Sequence, residues 1–279
     1  MTLNNINKYI TNKILNHGLG SRVLKLINII GYVSYLNKQG HNYEFVYTPF
    51  SYEGFGEDFY HNQLHMYYHK SISNHRLEYI ELCKRWDDTL KYNGNIIYNL
   101  ENFNNLTHLI HPKFDDSFGS SITEEEEFKH FNETRLIRHK IKKDFNLFPP
   151  QKKDYIDIAI HIRRGDVGSH YPDRWIDDNY YLSVIDKLKE KYKNTNFKIT
   201  IYTQRKNFNH NLYDEYQISY DDETLDNEIW KKLIFSDVLV LGRSSYSYSA
   251  GILCDGLVIY PKDKFFHPKL NDWKLIEEL

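Results

Sequence analysis

Ile156-Asp157-Ile158-Ala159-Ile160-His161-Ile162-Arg163-Arg164-Gly165-Asp166 alternates apolar residues and then breaks into charge. Ile158, Ile160 and Ile162 share one face of a strand, and the polar cluster starts where that strand runs out. Downstream the pattern continues as helix Asp178 to Tyr192, strand Lys198 to Thr203, helix Leu225 to Phe235 and strand Val238 to Leu241. A helix from about Ser247 and a strand Leu257 to Tyr260 complete it. Strands alternating with helices of this length predict an α/β fold with a parallel sheet. Within the helix at 178, Tyr181, Ile185, Leu188 and Tyr192 fall at helical spacing and are expected to pack on that sheet.

Upstream, Pro149-Pro150-Gln151-Lys152-Lys153 is the clearest linker in the chain. Before it, Glu124 to about Phe145 reads as one helix: Thr123 caps it, Glu126 takes the reciprocal capping position, and Phe128, Phe131, Ile137, Ile141 and Phe145 form its apolar face. Glu124 to Glu127 lie at its positive end and Arg138, Lys140, Lys142 and Lys143 at its negative end, so the acidic run is read as helix-end electrostatics. The N-terminus opens as a βαβ unit: strand Tyr9 to Leu15, the turn Asn16-His17-Gly18-Leu19-Gly20, a helix from Ser21 to about Leu36, and strand Tyr43 to Tyr47. Residues 48 to 80 read as loops with a short helix near His61 to His69.

At 279 residues the chain has room for one large domain or two of about 140 residues each. Its 36 basic and 38 acidic residues nearly cancel, which gives no broad positive field for nucleic acid or an anionic membrane. Two distant cysteines, Cys83 and Cys254, suit neither a disulfide scaffold nor a thiolate zinc site and point to a reducing compartment. No stretch approaches the ~20 apolar residues of a membrane span, and the N-terminus lacks a signal-peptide pattern. A soluble, cytoplasmic protein without a membrane anchor is expected, in which the Asn105 and Asn132 sequons stay unmodified. His61, His65 and His69 have metal-ligand spacing, but without a nearby cysteine no metal site is expected. The aromatic stretch Phe45 to Tyr68 suits an acceptor-sugar platform and ordinary packing equally. Arg164-Gly165-Asp166 spells a cell-adhesion tripeptide, which a strand end in a cleft would present poorly.

In a parallel sheet the ligand crevice lies beyond the carboxyl ends of the strands. Two ends carry chemistry. Arg163 and Arg164 need an anion partner, and their guanidinium forks suit a diphosphate; Gly165 lets the chain turn tightly beside them. Leu241-Gly242-Arg243-Ser244-Ser245-Tyr246-Ser247 leads hydroxyls and backbone N–H groups into a helix N-terminus, a ready phosphate site. Facing one crevice, the two ends would clamp a nucleotide diphosphate.

His161-Ile162-Arg163-Arg164-Gly165-Asp166 resembles the His-x-Arg-Arg-x-Asp motif of α1,2-, α1,6- and protein O-fucosyltransferases. The stretch from Asp237 through Ser244-Ser245-Tyr246-Ser247 to Ala250 is similar to that superfamily's later block, and the two lie in the right order about eighty residues apart. Gly18-Leu19-Gly20 matches its N-terminal glycine loop, with Ser21-Arg22 where many members have Asn-Gln. The resemblance covers the C-terminal half well, and residues 40 to 120 in layout only.

The resemblance implies a GT-B architecture, two Rossmann-like domains with parallel sheets facing a cleft. Residues 1–150 would form the acceptor-side domain and 151–279 the domain that binds the GDP-sugar. It implies an inverting, metal-independent transfer of L-fucose from GDP-fucose to a glycan, sugar or glycoprotein hydroxyl. Carried over, Arg164 would bind the β-phosphate and stabilise the leaving GDP, with Arg163 paired to a carboxylate or on the same phosphates. Ser244, Ser245 and Tyr246 would contact the phosphates, His161 and Thr203 would line the nucleotide pocket, and Gly18 and Gly20 would form the first-domain loop. Asp226 and Glu228 are the carboxylates offered to guanine, and His170 and Asp173 the candidate general bases. Another nucleotide sugar as donor, or a nucleotide- or glycan-binding module without turnover, also fits these motifs. Acceptor, linkage and oligomeric state leave no mark in the sequence.

Overall fold

The computed structural model describes residues 8–12, 19–51, 72–94, 96, 109–110, 124–168, 172–261 and 267–279. The chain divides into two compact units, Met1–Phe148 and Pro149–Leu279, with the division at the Pro149-Pro150 stop.

In the first unit, β1 (Lys8–Thr11), α1 (Leu19–Lys38) and β2 (Tyr43–Val46) make a βαβ unit. A short β3 (Leu109–Ile110) pairs with the other side of β1, giving the parallel order β2-β1-β3. β1 ends four residues before the expected Leu15, and positions 13–18 lie outside the described residues. Buried side chains take over where backbone pairing stops. The Thr11 and Thr48 hydroxyls meet at 2.6 Å, and the Asn12 amide bonds both the carbonyl (2.7 Å) and the N–H (2.8 Å) of Thr48. This satisfies polar groups that have no water to turn to.

Two expectations fail here. Residues 72–80, read as loop, belong to α2 (Ile72–Leu90). Among its described side chains only Cys83, Trp86 and Leu90 are buried, a stripe at helical spacing diluted by charged neighbours. Asp87 in the same helix organises the chain after β2, accepting from the Tyr47 hydroxyl (2.6 Å) and from the N–H groups of Phe50 and Ser51 (2.7 and 2.8 Å). The single helix expected over 124–145 is two, α3 (Glu124–Leu136) and α4 (Arg138–Asp144). They are separated at the β-branched Ile137, which sits at φ −95°, ψ 12° and is poorly suited to a helix interior. Thr123, its expected cap, and the helix expected at 61–69 lie outside the described residues.

In the second unit, β4 (Ile156–Ile162), β5 (Phe197–Thr203), β6 (Gln217–Tyr220), β7 (Val238–Val240) and β8 (Leu257–Ile259) form one parallel sheet in the order β6-β5-β4-β7-β8. The helices are α5 (Asp178–Tyr192), α6 (Asp226–Ile234) and α7 (Ser245–Leu253). Element limits match the sequence reading within two residues, except β6. That strand was not expected, being a four-residue edge with only Tyr220 buried. Ile158, Ile160 and Ile162 pack with Tyr181, Val184, Ile185 and Leu188 of α5, the face that their alternation predicts. At the opposite end of the strands the Asp237 carboxylate accepts the Asp157 N–H at 2.8 Å, so Asp237 orients the strand start. The C-terminal segment covers the outer edge of β8 through Tyr260 N–H to the Lys274 carbonyl (2.8 Å) and Lys274 N–H to the Val258 carbonyl (2.9 Å). Among the described residues no helix is long and apolar enough to cross a membrane.

Close packing in the first unit is set at Gly31, where a Cβ would lie 1.9 Å from Thr134 Oγ1 and 3.0 Å from the His130 carbonyl of α3. Gly31→Ala is expected to destabilise the first unit by about 1–3 kcal/mol through overpacking, read as a lower urea midpoint. An unchanged midpoint contradicts the contact.

Candidate functional site

Counting β4 as the first strand of its unit, the sheet order reads 3-2-1-4-5: the chain builds outward through β5 and β6, then crosses back to lay β7 on the free side of β4. The order reverses between β4 and β7. In open parallel sheets the ligand crevice opens at this switch point, outside the carboxyl ends. The carboxyl end of β4 is His161-Ile162-Arg163-Arg164, and that of β7 leads through Gly242 and Arg243 to Ser244. They touch: a Cβ on Gly242 would lie 2.7 Å from the His161 carbonyl, 3.0 Å from His161 Nδ1 and 3.3 Å from the Arg163 N–H nitrogen. Only glycine allows the two strand ends this close.

The two arginines part company. Arg164 is 0% exposed. One end of its guanidinium donates to Asp178 Oδ1 at 2.5 Å and the other to the Arg163 carbonyl at 2.9 Å, with its Cζ 4.0 Å from the Trp175 ring centroid. Asp178 also accepts from the Tyr213 hydroxyl at 2.8 Å. Arg163 keeps 22% of its side chain exposed and pairs with Asp166. Each arginine therefore has a carboxylate partner, Arg163 as expected, and the two differ in burial. The cause is the strand alternation: Arg164 follows Ile158, Ile160 and Ile162 onto the α5 side, while Arg163 follows Ala159 and His161 onto the other.

On that other side His161 is 6% exposed, its ring centroid 5.6 Å from that of Tyr246, and its Nδ1 has no hydrogen-bond partner. Burial first, and then the Arg163 charge, push its pKa down to about 3. The ring is therefore neutral at physiological pH, and its orphaned nitrogen is an unmet demand at the crevice.

The α7 end is built for its position. Ser244 is the N-cap, its hydroxyl accepting from the Tyr246 N–H at 3.3 Å, so that side chain serves the helix. Ser245 Oγ meets His267 Nε2 at 3.1 Å. The Tyr246 hydroxyl donates to the Asp226 carbonyl, which fixes the start of α6 against α7. Burial raises its pKa well above 10. Glu228 pairs with Lys231 at 2.8 Å. Thr203 is buried at the end of β5, with its carbonyl accepting the Asp221 N–H at 3.1 Å.

Of the remaining expected residues, Asp173 is exposed on a short turn whose backbone is held by Arg243: its guanidinium donates to the carbonyls of Asp173 (2.9 Å) and Trp175 (3.2 Å). Gly20 lies in the first turn of α1, in the other unit. Gly18 and His170 lie outside the described residues, as do His61, His65 and His69.

The sequence reading missed Asp178, Trp175, Gln204, Asp221 and the Arg243 anchor. Gln204 Oε1 accepts the Arg164 backbone N–H at 3.1 Å, and a Cβ on Gly165, which sits at φ +74°, would lie 3.0 Å from Gln204 Cδ. The Asp221 carboxyl has its pKa raised, chiefly by burial and by Asp222, against the lowering charge of Arg163. Asp178 was legible only as the first residue of its helix. Its partnership with Arg164, fourteen residues earlier, needs the fold.

No known protein-family model matches the chain, and no curated protein does.

Because the folded pKa of His161 (about 3) lies below the ordinary 6.5, its contribution to stability is complete above about pH 6.5 and is lost as pH falls toward 3. Over that window it costs at most roughly 1.4 kcal/mol per pH unit. His161→Gln is expected to flatten this part of the pH–stability curve, and an NMR titration of wild type should leave this ring neutral from pH 8 to 5. A midpoint near 6.5 contradicts the burial argument.

Proposed function

We propose that the chain is an inverting glycosyltransferase that moves L-fucose from GDP-fucose to a sugar or glycan hydroxyl, with the second unit as the nucleotide-binding half of a GT-B enzyme. One observation carries the reading: the carboxyl ends of β4 and β7 meet at the switch point of a 3-2-1-4-5 parallel sheet. They bring Arg163, the orphaned His161 Nδ1 and the capped N-terminus of α7 to one crevice.

These groups fit a diphosphate. Arg163 can exchange its exposed Asp166 partner for phosphate oxygens, a bidentate and charge-assisted contact. The first N–H groups of α7 complement the same charge. During transfer the acceptor oxygen attacks the sugar's anomeric carbon from the face opposite the β-phosphate as the bond to that phosphate breaks. The charge then collects on the leaving diphosphate, where Arg163 and the helix terminus stabilise it. Arg164 acts on this chemistry by holding the loop that presents Arg163. The acceptor's proton goes to a base or to solvent; Asp173, exposed beside the Arg243-held turn, is the carboxylate offered for it. Asp221, at the end of β6, joins Asp226 and Glu228 as a carboxylate that can read guanine.

Calorimetric titration with GDP, GDP-fucose, GDP-mannose and UDP-sugars in EDTA tests the donor. Selective GDP and GDP-fucose binding is expected, whereas UDP preference would overturn the donor and the absence of nucleotide binding would overturn the transferase. Two substitutions separate the arginines. Arg163→Ala should change stability by less than about 1 kcal/mol and weaken GDP binding about 10- to 100-fold. Arg164→Ala should cost about 3–5 kcal/mol of stability by stranding Asp178. The reverse pattern would restore Arg164 as the phosphate ligand.

A further inference from the structure

The C-terminal segment packs against α7 and is held there firmly. Trp273 is fully buried, with its ring centroid 4.9 Å from that of Tyr248 and Gly251 giving it room. The Tyr248 hydroxyl donates to the Pro268 carbonyl and the Tyr260 hydroxyl to the His267 carbonyl, each at 2.6 Å. These contacts fix the backbone that carries one ring. His267 rests against Tyr248 with centroids 4.7 Å apart, and its Nε2 meets Ser245 Oγ at 3.1 Å.

Ser245 is the first residue of α7, next to the cap, and Gly242 just before it packs against the orphaned Nδ1 of His161. A hydroxyl at that position can donate to an anion only if its own proton is not spent elsewhere. His267 decides this. With a proton on Nε2 the ring donates to Ser245 Oγ, which turns the serine O–H outward as a donor. With Nε2 bare the ring accepts the hydrogen bond of the serine O–H, and the hydroxyl then offers only lone pairs.

We infer that His267 is a positioning residue for phosphate recognition, fixing the Ser245 hydroxyl as a donor toward a terminal phosphate of the bound nucleotide. This rests on the reading of the crevice as a nucleoside-diphosphate site. The ring acts through Ser245 and sets discrimination between a diphosphate and a nucleoside, because only the former has a group for that hydroxyl to meet. The His267→Gln substitution supplies an amide that can donate near the position of Nε2, whereas His267→Phe keeps a ring against Tyr248 and removes the donor.

Calorimetric titration of the full chain, with fold checked by circular dichroism, tests this role. Wild type, His267→Phe, His267→Gln, Ser245→Ala and the double variant His267→Phe/Ser245→Ala are titrated with GDP and with guanosine. The expected result is GDP binding about tenfold weaker in His267→Phe, unchanged guanosine binding, substantial recovery in His267→Gln, and no further loss in the double variant relative to Ser245→Ala. If wild type binds GDP and folded His267→Phe binds it equally well, or loses guanosine to the same extent, the role of His267 is overturned while the crevice stands. If wild type binds neither ligand, both this role and the nucleotide reading fall.

Discussion

The guanidinium of Arg164 has no exposed surface, and the second unit is arranged around meeting its charge. Taking such a group out of water costs several kcal/mol unless a carboxylate and further contacts replace the solvent. Asp178 in the first turn of α5 supplies the charge, Trp175 the flat surface, and Gln204 ties down the backbone N–H. Arg243 then grips the carbonyls of Asp173 and Trp175 from the β7 end. The ends of β4 and β7, the start of α5 and the 172–175 turn are thereby joined by side-chain contacts.

Fixing Arg164 on one side of β4 sends its neighbours to the other. His161 comes out toward α7 and Arg163 lies near it, where the imidazole is neutral by burial and so tolerates a guanidinium beside it. Charge is then concentrated in Arg163 and in the α7 N-terminus. The hydroxyls around it have separate roles. Ser244 caps the helix, Tyr246 holds the start of α6, and Ser245 meets the His267 ring.

The second unit was legible because its strands are rich in β-branched residues that recur at every second position in β4, and its helix α5 has regular apolar spacing, so β4, β5, α5 and α7 could be placed almost to the residue. Edge strand β6 was not, since Gln217–Tyr220 buries one side chain and carries no pattern. Helix α2 was hidden because its described half buries only Cys83, Trp86 and Leu90 in charged surroundings. At the site, both strand ends could be read, while the difference in burial between the two arginines was not drawn from the sequence. That burial was within reach: Ile158, Ile160 and Ile162 already predict that an even-numbered neighbour follows them inward. Asp178, Asp221 and His267 were beyond reach, because each finds its partner through the topology and none lies in a motif with that partner.

The most direct test of the crevice is backbone amide mapping of the isotopically labelled protein as GDP is added in EDTA. The account predicts saturable shifts confined to residues 161–166 and 242–247, with smaller ones near 203 and 221, and an Arg163 side-chain signal that moves while that of Arg164 stays. Shifts centred elsewhere, or an Arg164 signal that moves in place of Arg163, would contradict it.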